Sequence, residues 1–384
     1  MTHIPDSWQS VTLGSFCEFK YGKSLPAAQR DGGEFYVFGS NGTVGSHSQA
    51  ITCGPTVVVG RKGSFGEVHY SPEACWPIDT TYFIDESATC ADLKWLSHLL
   101  PTLGLTELNR AAAIPGLNRE DAYAKSVLLP SLPEQKRIAA VLDAVDALRA
   151  KRREAIALLD DFAQSIFLDM FGDPSVNSSG FEVRELEGLV ADGDRINYGV
   201  VQPGRHVEGG IPLIRSGDLG RFGVDRSSLM RISPEIESSY VRSRLKGNEI
   251  LIGCVGAIGA VAVVSNDDVG SNVARAVARV PIAGDADREY VAAYLRMDFA
   301  QRYFIRELRT VAQPTLNIKQ IKSAPVLFPP SSLRSEFAER VRCVTRQRVT
   351  HAAHLATLDE LFTSLQHRAF SGTLWDHEAT GEAV

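Results

Sequence analysis

Two stretches of the chain carry apolar residues at alternating spacings of three and four. In the first, from Glu134 to Phe171, these are Ile138, Val141, Val145, Leu148, Ala155, Leu159, Phe162 and Ile166; in the second, after Ser332, they are Phe337, Val341, Val344, Leu355, Leu358, Phe362 and Leu365. This rhythm predicts two long helices with coiled-coil seams, interrupted by the polar residues Arg152, Arg348 and His351. Pro133 suits a first helical turn and Ser332 a cap, while Gly172, Pro174 and Gly372 end the patterns. A helix of about 38 residues is ~57 Å long. Ahead of each helix, short apolar runs alternate with Gly and Asn turns: EFYVFGS, TVVVGRKG and TYFIDE in the first front, IPLIRSGDL, NEILIGCVG and ARAVARVPI in the second. Helical text follows each set, so both fronts read as α+β domains with glycine-bent sheets.

The chain repeats itself. Pro115 and Pro314 stand 199 residues apart (314 − 115), and the same offset matches Leu117 and Asn118 to Leu316 and Asn317, Leu159 and Asp160 to Leu358 and Asp359, and Phe171 to Phe370. Upstream the likeness survives as a glycine rhythm, Gly60, Gly63 and Gly66 against Gly253, Gly256 and Gly259, and as openings in which Trp8 and Leu13 answer Phe181 and Leu186. A unit this long is a duplicated domain, not a solenoid repeat. Two matched helices from one duplication predict mutual pairing, an antiparallel coiled coil with pseudo-two-fold symmetry whose polar seam positions fix the register. The expected domains are residues 1–130, the first helix 131–172, residues 173–330, and the second helix with its tail 331–375.

Composition adds limits. With 384 residues, 44% of them apolar, the chain can bury more than one core. No run of about 18 apolar residues appears and the start lacks a signal-peptide pattern, which points to the cytoplasm. The six cysteines contain no CxxC pair, so they read as reduced and mostly buried thiols. A net charge of −6 argues against gripping nucleic acid by bulk charge and leaves room only for a local basic surface.

Catalytic motifs are wanting. GRKGSFG has the wrong spacing for a phosphate-binding loop, and no methyltransferase (D/N)PP(Y/F), GxSxG or HExxH is present. Pro5, Asp6, Glu18 and Lys20 imitate a PD…ExK nuclease pattern with a Mg²⁺ site, and His351 with His354 imitates a metal pair without a third ligand.

The order of divergent domain, long helix, divergent domain, long helix resembles the DNA-specificity subunit of type I restriction–modification enzymes. The helix start LPSLPEQKRIAAVLDAVDAL, the glycine runs GRKGSFG and GCVGAIG, and the LN of PGLN and PTLN share in this likeness, which covers nearly the whole chain. The second helix start, PPSSLRSEF, departs by losing the Glu-Gln pair, which leaves open whether both helices meet partners alike.

The resemblance implies a non-catalytic subunit whose two target-recognition domains each read half of an asymmetric, bipartite double-stranded DNA site. Its paired helices would space the domains and dock two modification (methyltransferase) subunits. S-adenosylmethionine would reside on those subunits, and ATP with Mg²⁺ on the restriction subunits that cleave DNA, leaving no cofactor or metal in this chain. Reading bases needs polar side chains on exposed loops. The candidates are Lys20, Tyr21, Lys23, Ser40, Asn41, Arg61, Lys62, Ser64 and Arg110 in the first front, and Tyr198, Gln202, Arg205, Arg215, Ser216, Asp218, Arg309 and Gln313 in the second. Arg149, Arg153 and Glu154, beside the first seam, are candidates for holding a partner. Two other readings stand beside this one: a structural coiled-coil adaptor with protein-binding domains, favoured by the acidic charge, and a stand-alone Mg²⁺-dependent nuclease.

Overall fold

The computed structural model describes residues 8–108, 116–220, 223–310 and 314–375. The chain divides into two compact units, one holding Met1–Arg152 with His354–Val384 and the other Arg153–Ala353. Each unit therefore owns one recognition front and one half of each long helix, Leu132–Phe171 and Ser331–Ser371.

In the first unit, Gln9–Thr12 pairs antiparallel with Ser126–Leu129, the strand leading into the first long helix. A four-stranded sheet runs in the order Lys20–Tyr21, Thr81–Ile84, Thr56–Gly60, Val68–Ser71, and a smaller sheet in the order Gly42–His47, Phe35–Gly39, Trp76–Pro77. The second unit repeats this plan. Glu182–Glu185 pairs with Pro325–Phe328, Asn197–Tyr198 heads a sheet through Val277–Pro281, Glu249–Gly253 and Val261–Val263, and Met230–Ile232, Ile211–Ile214 and Asn272–Val273 form the smaller one. In both smaller sheets the central strand is antiparallel to one neighbour and parallel to the other. The duplication, faint in the front sequences, is thus complete in topology. Thr56–Gly60 and Glu249–Gly253 are buried at every position, the reason their text is a continuous apolar run and not an alternation. One buried charge cluster distinguishes the second sheet: Arg279, fully buried, donates to Glu249 at 2.7 Å and to Asp194 at 2.8 Å, and this holds the Asp194 carboxyl below the usual carboxylate range.

Both long helices lend their ends to the domain cores. Ile138, Ala139 and Leu142 pack with Trp95, Leu96 and Leu99 in the first unit, joined by Ala369 and Leu374. Ile166, Phe167 and Phe171 pack with Tyr290, Tyr294, Phe337, Val341 and Val344 in the second. This widens the buried face beyond a two-stranded seam and corrects part of the heptad. Leu142 and Phe167 are fully buried and Val141 only half, while Leu148 and Phe162, expected in the seam, are 48% and 55% exposed. Leu159, Leu355, Leu358, Phe362 and Leu365 are half-buried.

Polar pairs hold the middle of the helices. In the first unit Arg149 Nε donates to Asp359 at 2.6 Å, with its guanidinium 4.4 Å over the Phe362 ring; in the second, Arg348 Nε donates to Asp160 at 2.8 Å. Arg348 lies 199 residues after Arg149 and Asp359 lies 199 after Asp160, so the two bridges are the same bond written twice. The later partner on one helix meets the earlier on the other, which makes the pairing antiparallel and gives both bridges one register. Arg149 is therefore occupied within the pair, not free for a partner, while Glu154 is exposed.

The altered helix start has a structural explanation. Gln135 is buried, donating to the Pro130 carbonyl at 2.9 Å and accepting from the backbone N–H of Asp92, the residue that caps the helix Leu93–Leu99. Its repeat mate Arg334 is buried too, donating to the Pro329 carbonyl and at 2.7 Å to Asp287 in the first turn of the helix Asp285–Arg296. The same joint is built once with an amide and once with an ion pair, so the loss of the glutamine is an internal exchange.

Reversing either charge of the half-buried bridge, Arg348→Asp or Asp160→Arg, is expected to cost about 1–3 kcal/mol in urea unfolding. The combined swap should recover most of the loss; a double variant no more stable than either single one would rule out a direct bond.

Candidate nucleic-acid interface

The glycine rhythm forms one loop twice. Gly60 N–H donates to Glu67 and Gly66 N–H returns to Gly60, both at 2.8 Å; Gly253 donates to Ala260 at 2.8 Å and Gly259 returns to Gly253 at 2.9 Å. Gly63 and Gly256 both have φ +76°, and a Cβ on Gly60 or Gly253 would run into the carbonyl of Ser64 or Ala257. The glycines close a tight loop at the end of the buried strand, where the sequence had predicted a bend of the sheet. Around the shared central glycine the loop residues differ, RKGSF in one unit and CVGAI in the other.

The LN pairs anchor these loops. Leu117 N–H donates to the Arg61 carbonyl at 2.9 Å and Leu316 N–H to the Cys254 carbonyl at 3.0 Å, while Asn118 and Asn317 cap the short helices Arg119–Tyr123 and Ile318–Lys322. The carbonyls of these leucines each receive a tyrosine hydroxyl, but from different strands. Tyr82 reaches Leu117 at 3.2 Å and Tyr198 reaches Leu316 at 3.0 Å. By sheet register Ala278 occupies the second unit's counterpart of the Tyr82 position, and Tyr198, beside it, fills the berth instead. Burial pushes both phenols up to about 12, in Tyr82 ahead of a contribution from the neighbouring Tyr21.

In the first unit Tyr82 fills the berth, so Tyr21 stays outside. Its ring is 53% exposed, with the Arg61 guanidinium 5.2 Å and the Arg119 guanidinium 5.3 Å from its centroid. Arg61 is further fixed by a 2.6 Å bond to the Asp79 carbonyl. Arg119 was not among the sequence candidates; its only signal was its place after the capping Asn118, which the backbone stitches to Arg61. The repeat mate of Arg119 is Ile318, and Cys254 stands at the Arg61 loop position, so the second unit has no equivalent cluster.

The other candidates divide by exposure. Lys23, Asn41 and Lys62 are exposed and Ser64 half-buried in the first unit; Gln202, Arg205 and Arg215 are exposed in the second. Arg215 is held in a fork on Asp218 at 3.1 and 3.0 Å, and Ser216 lies beside Gly256. Three residues are corrected. Ser40 is buried and donates to the Thr80 carbonyl at 2.7 Å, Asp218 is buried under the Arg215 fork, and Tyr198 is committed to Leu316, so all three serve the fold. Lys20 is paired with Asp85 at 2.9 Å and with Ser87, which takes the lysine out of the nuclease pattern. Asp6, Arg110, Gln313 and the Arg309 side chain lie outside the described residues. Among the described residues no three metal-ligating side chains gather, and no helix is long and apolar enough to cross a membrane. Cys17, Cys75 and Cys254 are buried thiols, but Cys53, Cys90 and Cys343 are exposed, more than the composition suggested.

Two fronts of one topology, each followed by a long helix, make a plan that known proteins share. The family of the type I restriction modification DNA specificity domain matches residues 5–158. The chain is 28% identical over 351 residues to the EcoBI specificity subunit of a type I restriction enzyme from Escherichia coli, covering 83% of this chain and 73% of that one. Its fold is shared with the S subunit of a type I restriction–modification system from M. genitalium, at TM-score 0.65 and 15% identity over 96% of this chain and 97% of the other. A second solved chain, from work on assembly and conformational transition of a type I system, aligns at TM-score 0.50 and 16% identity over 97% of this chain and 100% of its own. The chain thus resembles the specificity subunits of type I restriction enzymes along most of its length.

Tyr82→Phe and Tyr198→Phe, each stranding a leucine carbonyl, are expected to lower stability by about 1–3 kcal/mol in urea unfolding. Tyr21→Ala should stay within about 0.5 kcal/mol of the parent. A loss at Tyr21 as large as at Tyr82 would place that ring in the core.

Proposed function

We propose that this chain selects the DNA site of a type I complex by reading an asymmetric, bipartite double-stranded sequence, one half with each front. The observation that carries this is the contrast between framework and loop. Sheet order, loop backbone, leucine anchor and tyrosine berth are held in common, while the side chains at the loop differ, Arg61 and exposed Lys62 in the first unit against buried Cys254 and half-buried Val255 in the second. Two readers of one geometry with different outward chemistry suit two different half-sites. The first half-site would be met by Tyr21, Lys23, Asn41, Arg61, Lys62, Ser64 and Arg119. The second would be met by Gln202, Arg205, Arg215 and Ser216, together with Arg309 and Gln313.

The long helices offer a docking surface for two modification subunits. Phe162 and its repeat mate Leu361 are 55% and 44% exposed, and Leu158 is 63% exposed, apolar area that a soluble helix ordinarily covers. S-adenosylmethionine would sit on those subunits, ATP and Mg²⁺ on restriction subunits, and the assembly would work in the cytoplasm.

Single-molecule sequencing of methylated adenine in strains with and without this chain tests the reading. Methylation at one split, asymmetric motif should vanish with the chain; an unchanged methylome, with partner subunits expressed, would favour a structural adaptor. The paired helices should also set the gap between the half-sites. Removing four residues between Arg149 and Asp160 and the matching four between Arg348 and Asp359 shortens each helix by ~6 Å. The gap should then shrink by about two base pairs with both half-sites unaltered; altered half-sites with the old gap would overturn this spacer role.

A further inference from the structure

Tyr21, Arg61 and Arg119 form a cluster whose chemistry goes beyond a list of exposed polar residues. The two guanidiniums lie within 5.3 Å of one ring centroid, so two positive charges are gathered around a single exposed ring of an acidic chain. Little inside the unit offsets them. Arg61 donates to the Asp79 carbonyl, and its Nε–H, though buried, finds no acceptor among the described residues. Arg119 has Glu120 at 3.5 Å, a carboxylate 70% exposed to solvent and therefore a weak partner. Each guanidinium carries five N–H donors, so the cluster holds donors in excess of its acceptors.

The geometry bears on what is bound. A base edge is read by one coplanar fork, as arginine reads guanine O6 and N7. Two guanidiniums brought beside one phenol from separate elements suit an anion with oxygens in several directions. They are held there by the backbone link from Leu117 to Arg61 and by the Asn118 cap.

Resting on the DNA reading above, we propose that Tyr21, Arg61 and Arg119 clamp one backbone phosphate of the duplex, and that this clamp belongs to the first unit alone. Sequence discrimination in that unit then falls to the neighbouring exposed side chains, and the clamp sets their height and angle over the groove.

The test uses the full chain and its target duplex with single phosphates replaced, one position at a time, by uncharged methylphosphonate. The parent protein should lose affinity at one position near the first half-site, and Arg61→Ala/Arg119→Ala should be insensitive to that same replacement. The double variant should also weaken binding by the same factor to the target and to a duplex with the first half-site scrambled. Its plot of log affinity against log salt should be shallower by about 0.9, the share of one phosphate. Arg61→Lys/Arg119→Lys, which keeps the charge, should keep the parent slope and so separates loss of the clamp from loss of the fold. Loss confined to one base pair of the half-site would make the cluster a base reader and overturn the proposal, as would an unchanged slope. A parent chain that shows no salt-dependent binding to DNA would instead remove the DNA reading itself.

Discussion

Arg149 on Asp359 and Arg348 on Asp160 lie along the stretch of the long helices where few apolar residues are buried. Hydrophobic contact there is too sparse to choose among registers, because a helix pair can slide by a turn and still bury small amounts of surface. A charged pair with one good geometry cannot slide. Since each helix also donates its ends to a domain core, a slip would tear Ile138 and Leu142, or Phe167 and Phe171, from partners such as Trp95 and Tyr290. The bridges and the cores thus specify one pairing between them, with the polar bonds supplying uniqueness and the apolar ends most of the energy.

The joints between helix and front show how tolerant such a framework is of chemistry and how intolerant of geometry. Gln135 and Arg334 differ in length and charge and share the capacity to donate to a proline carbonyl, yet each ties its helix to the start of a shorter one. Tyr82 and Tyr198 come from different strands and satisfy the same leucine carbonyl. What both units preserve is a set of buried backbone groups that must find partners.

This is also why parts of the structure were legible in the sequence and parts were not. The offset of 199 exposes the helices, the LN anchors and the mates of each bridge, because those are positions where the same bond recurs. The seam was read less well: a heptad count assumes one partner helix, whereas Leu142 and Phe167 turn toward their domains and leave Leu148 and Phe162 to solvent. Ser40 and Asp218 resembled exposed loop residues because polar side chains crowd turns, but both are consumed by local hydrogen bonds. Arg119 carried almost no signal of its own, since its meeting with Arg61 depends on a backbone link between positions 56 apart in the chain (117 − 61).

The tyrosine berth has one more consequence. Because either of two adjacent strands can supply the phenol, a unit needs only one of the two positions for stability, and the other is released from the fold. In the first unit the released position is Tyr21, which reaches the surface; in the second it is Ala278, a small side chain that stays buried. A lineage in which the two positions trade roles would move an aromatic side chain between interior and surface with the hydrogen-bond account unchanged. The berth is thus a place where what a recognition surface displays can drift while the scaffold stays put.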